Sequence, residues 1–276
     1  MQEVWTRRLS LSLLGVPVTV LADDRELGER LAVCYARSGA EEGENALTAR
    51  LERAGTGWRI AVDGREPVRK DDAAEAVRAL NHELMHGVML RNRRLYYVHA
   101  AVVEHGGRGI LLPGLSQAGK STLALAFLAA GARFLSDELL AYDASSGRAL
   151  AFPRAVKIRD ACVDYFPAWK DAFLGAGEGR FLPFDALGGE IAPHAAVHAI
   201  VLPRWSGPYG ATELVPASPG QALLELAASS LNFGTHRVQS LDFLSDLVAG
   251  ARAFRLAWRE PHGAVARVLG ELEAGT

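Results

Sequence analysis

The chain has 276 residues, of which 49% are hydrophobic and 22% charged, and its formal net charge is −2. This composition excludes an intrinsically disordered protein, and the lack of a basic excess argues against a nucleic-acid partner. The two cysteines are far apart without metal-like spacing, which predicts reduced thiols in a cytoplasmic protein. The N-terminus does not resemble a signal peptide, and no apolar run approaches the roughly 20 residues of a membrane span, so we expect no membrane partner.

The sequence pattern of residues 1–90 predicts a small α+β region. Strand-like stretches lie within 8–20, helical spacing within 25–36, a hairpin within 47–62, and a second helix from the capping pair Asp71-Asp72 to about residue 90. Substrate recognition is one role open to this region. A linker at 90–94 is expected to separate it from a larger domain at 94–276.

The second predicted helix contains His82-Glu-Leu-Met-His86, which matches the H-E-x-x-H pattern of zinc proteases. Two histidines one helical turn apart can share a Zn²⁺ ion, with Glu83 as the base. The apolar stripe of this helix lies on the opposite face, which predicts that both histidines face water. The usual continuation with a third histidine is missing, so a zinc metalloprotease is kept only as a remote alternative.

From residue 94 the pattern changes to alternating apolar strands and helices, which is typical of an α/β sheet flanked by helices. Strands are predicted at 95–103, 109–112, 133–135 with a continuation at 139–142, 155–158, 196–202 and 254–258. Helices are predicted at 120–130, 218–229, 240–249 and 262–273.

The run Gly114-Leu-Ser-Gln-Ala-Gly-Lys-Ser121 matches the P-loop pattern G-x-x-x-x-G-K-[ST]. A strand precedes it and a helix follows it, as the motif requires, because backbone N–H groups converge on phosphates at a helix N-terminus. Lys120 is expected to face solvent and to reach the β- and γ-phosphates, and the Ser121 hydroxyl is expected to bind Mg²⁺. The residues expected to bind the nucleotide are Gly114, Leu115, Ser116, Gln117, Ala118, Gly119, Lys120, Ser121 and Thr122.

A phosphate site of this kind also needs a carboxylate at the end of a neighbouring strand. Asp137 and Glu138 close the strand that follows the P-loop helix. Adjacent strand residues point to opposite faces, so only one of the pair is expected to face the phosphates unless the strand ends there.

Residues 98–143 resemble the kinase domain of HPr kinase/phosphorylase, and most of all the related kinases encoded beside peptide-modifying enzymes. The likeness is carried by the strand His99-Ala-Ala-Val-Val103, the P-loop and the strand end Leu135-Ser-Asp-Glu138, with a weaker extension at 152–157. It implies a P-loop kinase core of the HPr kinase/PEP carboxykinase-like type, a mixed sheet with flanking helices. ATP and Mg²⁺ are the implied cofactors, and the resemblance points to a homo-oligomer.

The resemblance also implies roles for single residues. His99, Lys120, Ser121 and Glu138 fall on the family's histidine, P-loop lysine, metal-binding serine and proton-accepting carboxylate. The family has a second aspartate where this chain has a glutamate, so Asp137 stays open as the base as well as a metal ligand. The family's glutamate-containing segment, which supplies a further Mg²⁺ ligand and supports phosphorolysis, has no counterpart that we can find, which implies a kinase without the reverse reaction.

Arg154 and Lys157 alternate along a predicted strand and could bind the triphosphate or an acidic substrate segment, or form a solvated edge. Together with the resemblance, the sequence predicts an ATP- and Mg²⁺-dependent kinase that phosphorylates a hydroxyl, a serine of a peptide or small protein. The substrate class comes from the resemblance alone. A small-molecule hydroxyl kinase and a nucleotide-binding regulatory ATPase stay open as alternatives.

Overall fold

A computed structural model describes residues 5–35, 46–175, 179–187 and 191–275 of the chain. Residue 36, the predicted end of the first helix, lies outside these ranges. The chain forms two compact units, Met1–Arg93 and Arg94–Thr276.

The first unit is a five-stranded sheet with two helices. Its elements are β1 (Arg7–Leu13), β2 (Val16–Ala22), α1 (Arg25–Cys34), β3 (Leu47–Ala54), β4 (Gly57–Val62), β5 (Val68–Lys70) and α2 (Ala73–Arg91). The strands follow the order β1-β2-β3-β4-β5, and only the β2–β3 pair is parallel. Both helices begin where an aspartate side chain accepts a backbone N–H, Asp24 for α1 and Asp72 for α2.

The second unit is built on a larger mixed sheet, as the sequence predicted. Its first elements are β6 (Tyr96–His105), β7 (Arg108–Pro113), α3 (Lys120–Ala129), β8 (Arg133–Ser136), β9 (Leu139–Asp143), β10 (Arg148–Leu150), β11 (Val156–Ile158), two 3-10 helices (Asp160–Tyr165 and Pro167–Ala172) and β12 (Arg180–Leu182). The remaining elements are α4 (Phe184–Leu187), β13 (His194–Ala195), β14 (Val197–Trp205), β15 (Glu213–Pro216), α5 (Pro219–Ala228), α6 (Phe233–His236), α7 (Val238–Ala249), β16 (Arg252–Trp258) and α8 (Pro261–Ala274).

The strands of this sheet lie in the order β13-β10-β9-β6-β7-β14-β16-β15, with β8 also paired to β6. The central strands β7, β14 and β16 are parallel, whereas β6 runs antiparallel to β7. Apolar residues of α3 and α8 cover one face of the sheet, and apolar residues of α5 and α7 cover the other. The mixed α/β architecture expected from the alternating pattern is therefore present.

Strands β8 and β9 both pair with β6, in nearly continuous register. Ser136 pairs with Val102 and Leu139 pairs with His99, both on β6. The ladder is interrupted between them at Asp137 and Glu138, so the predicted strand reaches the acid pair and continues beyond it. This interruption frees both acids from the strict alternation of a regular strand.

Several short elements are absent from the sequence prediction, namely β5, β10, β12, β13, β15, α4, α6 and the 3-10 helices. The predicted strand at 155–158 begins one residue later, at Val156, so Arg154 lies in the irregular segment before β11 and not on a strand. Among the described helices, none combines the length and apolarity needed to cross a membrane.

Candidate functional site

The P-loop joins the end of β7 to the first turn of α3. Gly119 is the N-cap of α3 with φ 90°, and Gly114 has φ 146°, both in the region that favours glycine. Gln117 also has a positive φ, 76°, which is strained for a side chain of this kind and is typical of functional loops. The loop therefore opens onto the N–H groups at the start of a ten-residue helix, the geometry expected of a phosphate site.

Trp258, at the end of β16, packs against the P-loop. Its ring lies against Gly119 so closely that a Cβ atom at that position would overlap it. Its Nε1 atom donates a hydrogen bond to the Ala118 carbonyl at 3.3 Å. No residue pattern in the sequence links this tryptophan to a loop 140 positions earlier, and it was not among the predicted site residues.

Lys120 is buried, with only 6% of its surface exposed, which corrects our expectation of a solvent-facing lysine. Its ammonium group donates to the Gly114 carbonyl at 2.8 Å and to the Leu115 carbonyl at 2.9 Å. Burial lowers the pKa of Lys120, and nearby carboxylates oppose that shift. The lysine thus bonds to carbonyl groups of its own loop.

Asp137 is the most enclosed acid of the site, with 2% exposure. Its Oδ2 atom accepts the Lys157 backbone N–H at 3.4 Å, and the Ser121 hydroxyl interacts with the same carboxylate. Its Oδ1 atom is buried without a hydrogen-bond partner in the described part of the chain. Burial raises the pKa of Asp137 to about 6, although the neighbouring Arg154 opposes the shift.

Glu138 lies among three nitrogen-bearing side chains, those of Arg154, His99 and Lys120. Its Oε2 atom accepts from Arg154 Nη2 at 2.9 Å, and its Oε1 atom lies 3.6 Å from His99 Nδ1. Burial alone would raise its pKa, but Arg154, His99 and Lys120 together hold the pKa of Glu138 below its ordinary value. Glu138 is therefore ionised near neutral pH.

His99 comes from β6, and its backbone N–H donates to the Ser229 carbonyl at 2.7 Å. Burial and the positive charge of Lys120 lower the pKa of the imidazole, whereas Glu138 opposes this. Near neutral pH the ring is neutral, and it also hydrogen bonds to the Glu138 backbone. It can hold that carboxylate in place without adding a full charge.

The two cations predicted for substrate binding have different positions. Arg154 is nearly enclosed and engaged with Glu138, so it is part of the cluster and not of a solvated edge. The Lys157 ammonium lies 5.8 Å from the centre of the Phe181 ring, and the backbone N–H of Lys157 donates to Asp137 Oδ2. Arg154 thus contacts Glu138 through its side chain, and Lys157 contacts Asp137 through its backbone N–H.

A further carboxylate, Glu225 of α5, approaches the loop from the other side of the sheet. Its Oε1 atom lies 3.8 Å from the position that a Cβ atom would take at Gly114. Its charge also opposes the lowering of the Lys120 pKa. Glu225 lies on an ordinary amphipathic helix far along the chain, and no motif in the sequence could have identified it.

The histidine pair on α2 has a different environment. The rings of His82 and His86 contact each other edge to face with 4.5 Å between centroids. Glu83 is buried in an ion pair with Arg65, and burial lowers the pKa of His86. Within the described ranges, no group of three or more His, Cys, Asp or Glu side chains is arranged to hold a metal ion.

No protein-family model matches the chain, and no match is found among curated proteins. Among solved structures, the chain is similar to the Hpr(Ser) kinase/phosphatase from Coxiella burnetii. The two share 14% sequence identity with a TM-score of 0.29, over 64% of this chain and 98% of that chain. With so low a TM-score, the function is inferred from the side chains of the site and from the sequence.

Proposed function

We propose that the second unit is an ATP- and Mg²⁺-dependent kinase that transfers the γ-phosphate to a hydroxyl group. The observation that supports this is the meeting of P-loop and acid pair, with Ser121 beside Asp137 and an ionised Glu138 beside His99. Phosphoryl transfer needs mainly positioning, charge neutralisation and a group that accepts the proton of the attacking hydroxyl. The cluster contains a candidate for each of these tasks.

Ser121 and Asp137 fit a Mg²⁺ ion, which prefers oxygen ligands and takes only one or two carboxylates besides phosphates and water. The unpartnered Oδ1 atom of Asp137 provides a free lone pair inside the cluster. Held by these two side chains, a bound metal ion would neutralise negative charge on the phosphates. In our proposal Asp137 therefore binds the metal ion and does not take the proton.

Besides the metal ion, Lys120 supplies a second positive charge to the proposed phosphate site. Its ammonium group donates hydrogen bonds to two loop carbonyls. Phosphate oxygens of ATP are stronger acceptors than neutral carbonyls, so the ammonium exchanges those bonds for phosphate contacts. The positive charge then stabilises the charge that develops on the transferred group.

Glu138 is the base in this proposal. Its carboxylate is ionised, Arg154 fixes its orientation by donating to Oε2, and His99 Nδ1 lies 3.6 Å from Oε1. The hydroxyl proton of the acceptor passes to Glu138 as the oxygen attacks the γ-phosphorus and the bond to the β-phosphate oxygen breaks. Glutamate extends one methylene further than aspartate, so the acceptor oxygen is expected slightly further from the strand.

The acceptor that we propose is a serine of a peptide or small protein, which the sequence resemblance of residues 98–143 supports. The near-neutral charge gives no reason to expect a nucleic-acid partner. A regulatory ATPase with the same P-loop would release only inorganic phosphate, whichever acceptor is supplied.

The proposal is tested by measuring ATP turnover in Lys120→Ala and Lys120→Met, the second of which keeps most of the side-chain volume. Loss of the ammonium is expected to lower the rate by about 10²–10³-fold. Because Lys120 is buried, thermal unfolding of each variant shows whether the fold is retained. Full ATP turnover in a folded Lys120 variant contradicts the proposal.

A further inference from the structure

The carboxyl edge of the second unit's sheet presents different chemistry on the two sides of the P-loop. On one side lie β6 and the gap between β8 and β9, which carry His99 and the acid pair. On the other side lie β14 and β16, which end in Trp205 and Trp258. Ligands of α/β sheets bind outside the carboxyl ends of parallel strands, so both sides border the same site.

Trp205 is placed next to the phosphate loop by strand register. It pairs with Trp258 across the parallel strands β14 and β16, and the Trp258 ring lies against Gly119 of the loop. Val201, four residues before Trp205 on the same strand, packs in the core cluster that contains Trp258. Because side chains alternate along a strand, Trp205 projects from the same face of the sheet as Trp258.

The two tryptophans differ sharply in burial. Trp258 is 3% exposed, whereas Trp205 is 51% exposed although it lies one strand away. The loop after Trp205 is anchored, since the Ser206 N–H and hydroxyl both donate to the Trp258 carbonyl, at 2.8 and 2.9 Å. That loop presents a second aromatic side chain, Tyr209, which is 98% exposed. A firmly held backbone thus displays two aromatic rings to solvent beside a phosphate site.

Trp205 lies at a suitable distance to contact the base of a nucleotide whose γ-phosphate points to Glu138. β14 is two strands from β6, a span of roughly 10 Å at the usual strand spacing. This is the scale of a triphosphate and ribose. A nucleotide that lies across the loop with its γ-phosphate at the acid pair therefore brings its base to Trp205.

We propose that the Trp205 indole, with Tyr209 beside it in sequence, forms the surface on which the purine base of the nucleotide stacks. This inference rests on the proposed function and adds to it the residues that hold the base. Stacking on an aromatic ring tolerates different bases, because every base has a π face. The surface therefore favours purine nucleotides over inorganic phosphates and discriminates weakly between ATP and GTP.

The test compares the dissociation constants of MgATP, MgGTP and magnesium tripolyphosphate for the full-length protein and its variants. In Trp205→Ala, both nucleotides are expected to bind about 5- to 150-fold more weakly, the range for one lost base–aromatic stack, with tripolyphosphate binding unchanged. Trp205→Phe should restore most of the nucleotide affinity. Leu241→Ala is a matched control, because Leu241 is 47% exposed and lies on α7, the helix that covers the opposite face of the sheet. It should change none of the three constants.

Unchanged nucleotide affinity in Trp205→Ala overturns the inference. So does an equal loss of nucleotide and tripolyphosphate affinity, because Trp205 would then act by holding the loop. Thermal unfolding of Trp205→Phe and Trp205→Ala confirms that the compared proteins are folded. A wild-type protein that binds neither nucleotide nor tripolyphosphate contradicts the proposed function itself, which is a different result from either of these.

Discussion

Each unit of the chain carries a sequence motif with histidine and glutamate, but only one of the two motifs becomes part of a cluster. On α2, Glu83 pairs with Arg65 while His82 and His86 contact each other. In the second unit, Glu138 lies beside His99 of β6, pairs with Arg154 before β11 and interacts electrostatically with Lys120 of the P-loop helix. A motif within one helix shows only that its residues are neighbours on that helix. A catalytic site needs side chains that come together from several elements of the fold.

Replacing the proposed base is the strongest way to break this comparison. Glu138→Gln keeps a similar shape and can still accept a hydrogen bond from Arg154, but it cannot take a proton. We expect the rate of phosphoryl transfer to fall by about 10²–10⁴-fold with MgATP affinity little changed. Steady-state kinetics with a separate MgATP binding measurement check this. A proportional loss of rate and affinity would instead make Glu138 a binding residue.

Asp137→Asn tests how much the burial of the Asp137 carboxylate destabilises the folded protein. The pKa of Asp137 is raised from 3.8 to about 6, so the folded protein binds this proton more tightly than the unfolded chain. Stability contributed by the protonated form is therefore present below about pH 4 and is lost as pH rises to about 6. At pH 8 the variant is expected to be more stable by about 3 kcal/mol, while Mg²⁺-dependent activity is lost.

Denaturant unfolding at pH 4 and pH 8 measures this prediction. The stabilisation should be present at pH 8 and small at pH 4, where the wild-type acid is largely protonated. Equal effects of Asp137→Asn at the two pH values would show that the carboxylate is not destabilised by its burial.

Gly119→Ala tests how tightly Trp258 fixes the loop. Alanine would meet both the positive φ of 90° and the tryptophan ring, so the loop must move, and we expect transfer to fall by about 10²-fold. Gly131→Ala is the matched control, because its φ is 88° but a Cβ atom there meets nothing within 4 Å. The control should lose about 1 kcal/mol of stability and keep its activity.

Activity and thermal unfolding of the two glycine variants separate backbone strain from contact with Trp258. If both variants lost activity alike, backbone conformation alone would explain the result, and Trp258 would have no special part in holding the loop.

The smallest effect is expected from the motif that does not form a cluster. His82 is exposed and its ring contacts that of His86, so His82→Ala should change stability by less than about 0.5 kcal/mol and leave transfer intact. Metal analysis of the purified protein should find no stoichiometric Zn²⁺. A zinc ion that is present in wild type and lost in His82→Ala would reverse the comparison.

The parts of the site that could be predicted are those encoded by neighbouring residues. The P-loop is contiguous, and a strand, a glycine-rich turn and a helix follow one another in the sequence, so local rules suffice. The acid pair follows the P-loop helix directly, and its position at an interruption between β8 and β9 agrees with the predicted strand that reaches it and continues.

The parts that could not be predicted depend on distant pairing. Trp258 reaches the loop from the end of β16, Trp205 is its register partner on β14, and Glu225 approaches the loop from α5. The burial of Lys120 follows from its bonds to Gly114 and Leu115, which exist only in the folded loop. Short strands such as β10 and β13 lack the length over which periodicity can be recognised.

The most direct test of the kinase assignment follows the γ-phosphate itself. The protein is incubated with γ-labelled ATP, Mg²⁺ and serine-containing peptides encoded by neighbouring genes, and the label is divided between peptide and inorganic phosphate. We predict that label appears as phosphoserine on an acceptor peptide and that Glu138→Gln abolishes this transfer. Release of all label as inorganic phosphate, whichever acceptor is supplied and with Glu138 intact, would contradict the account.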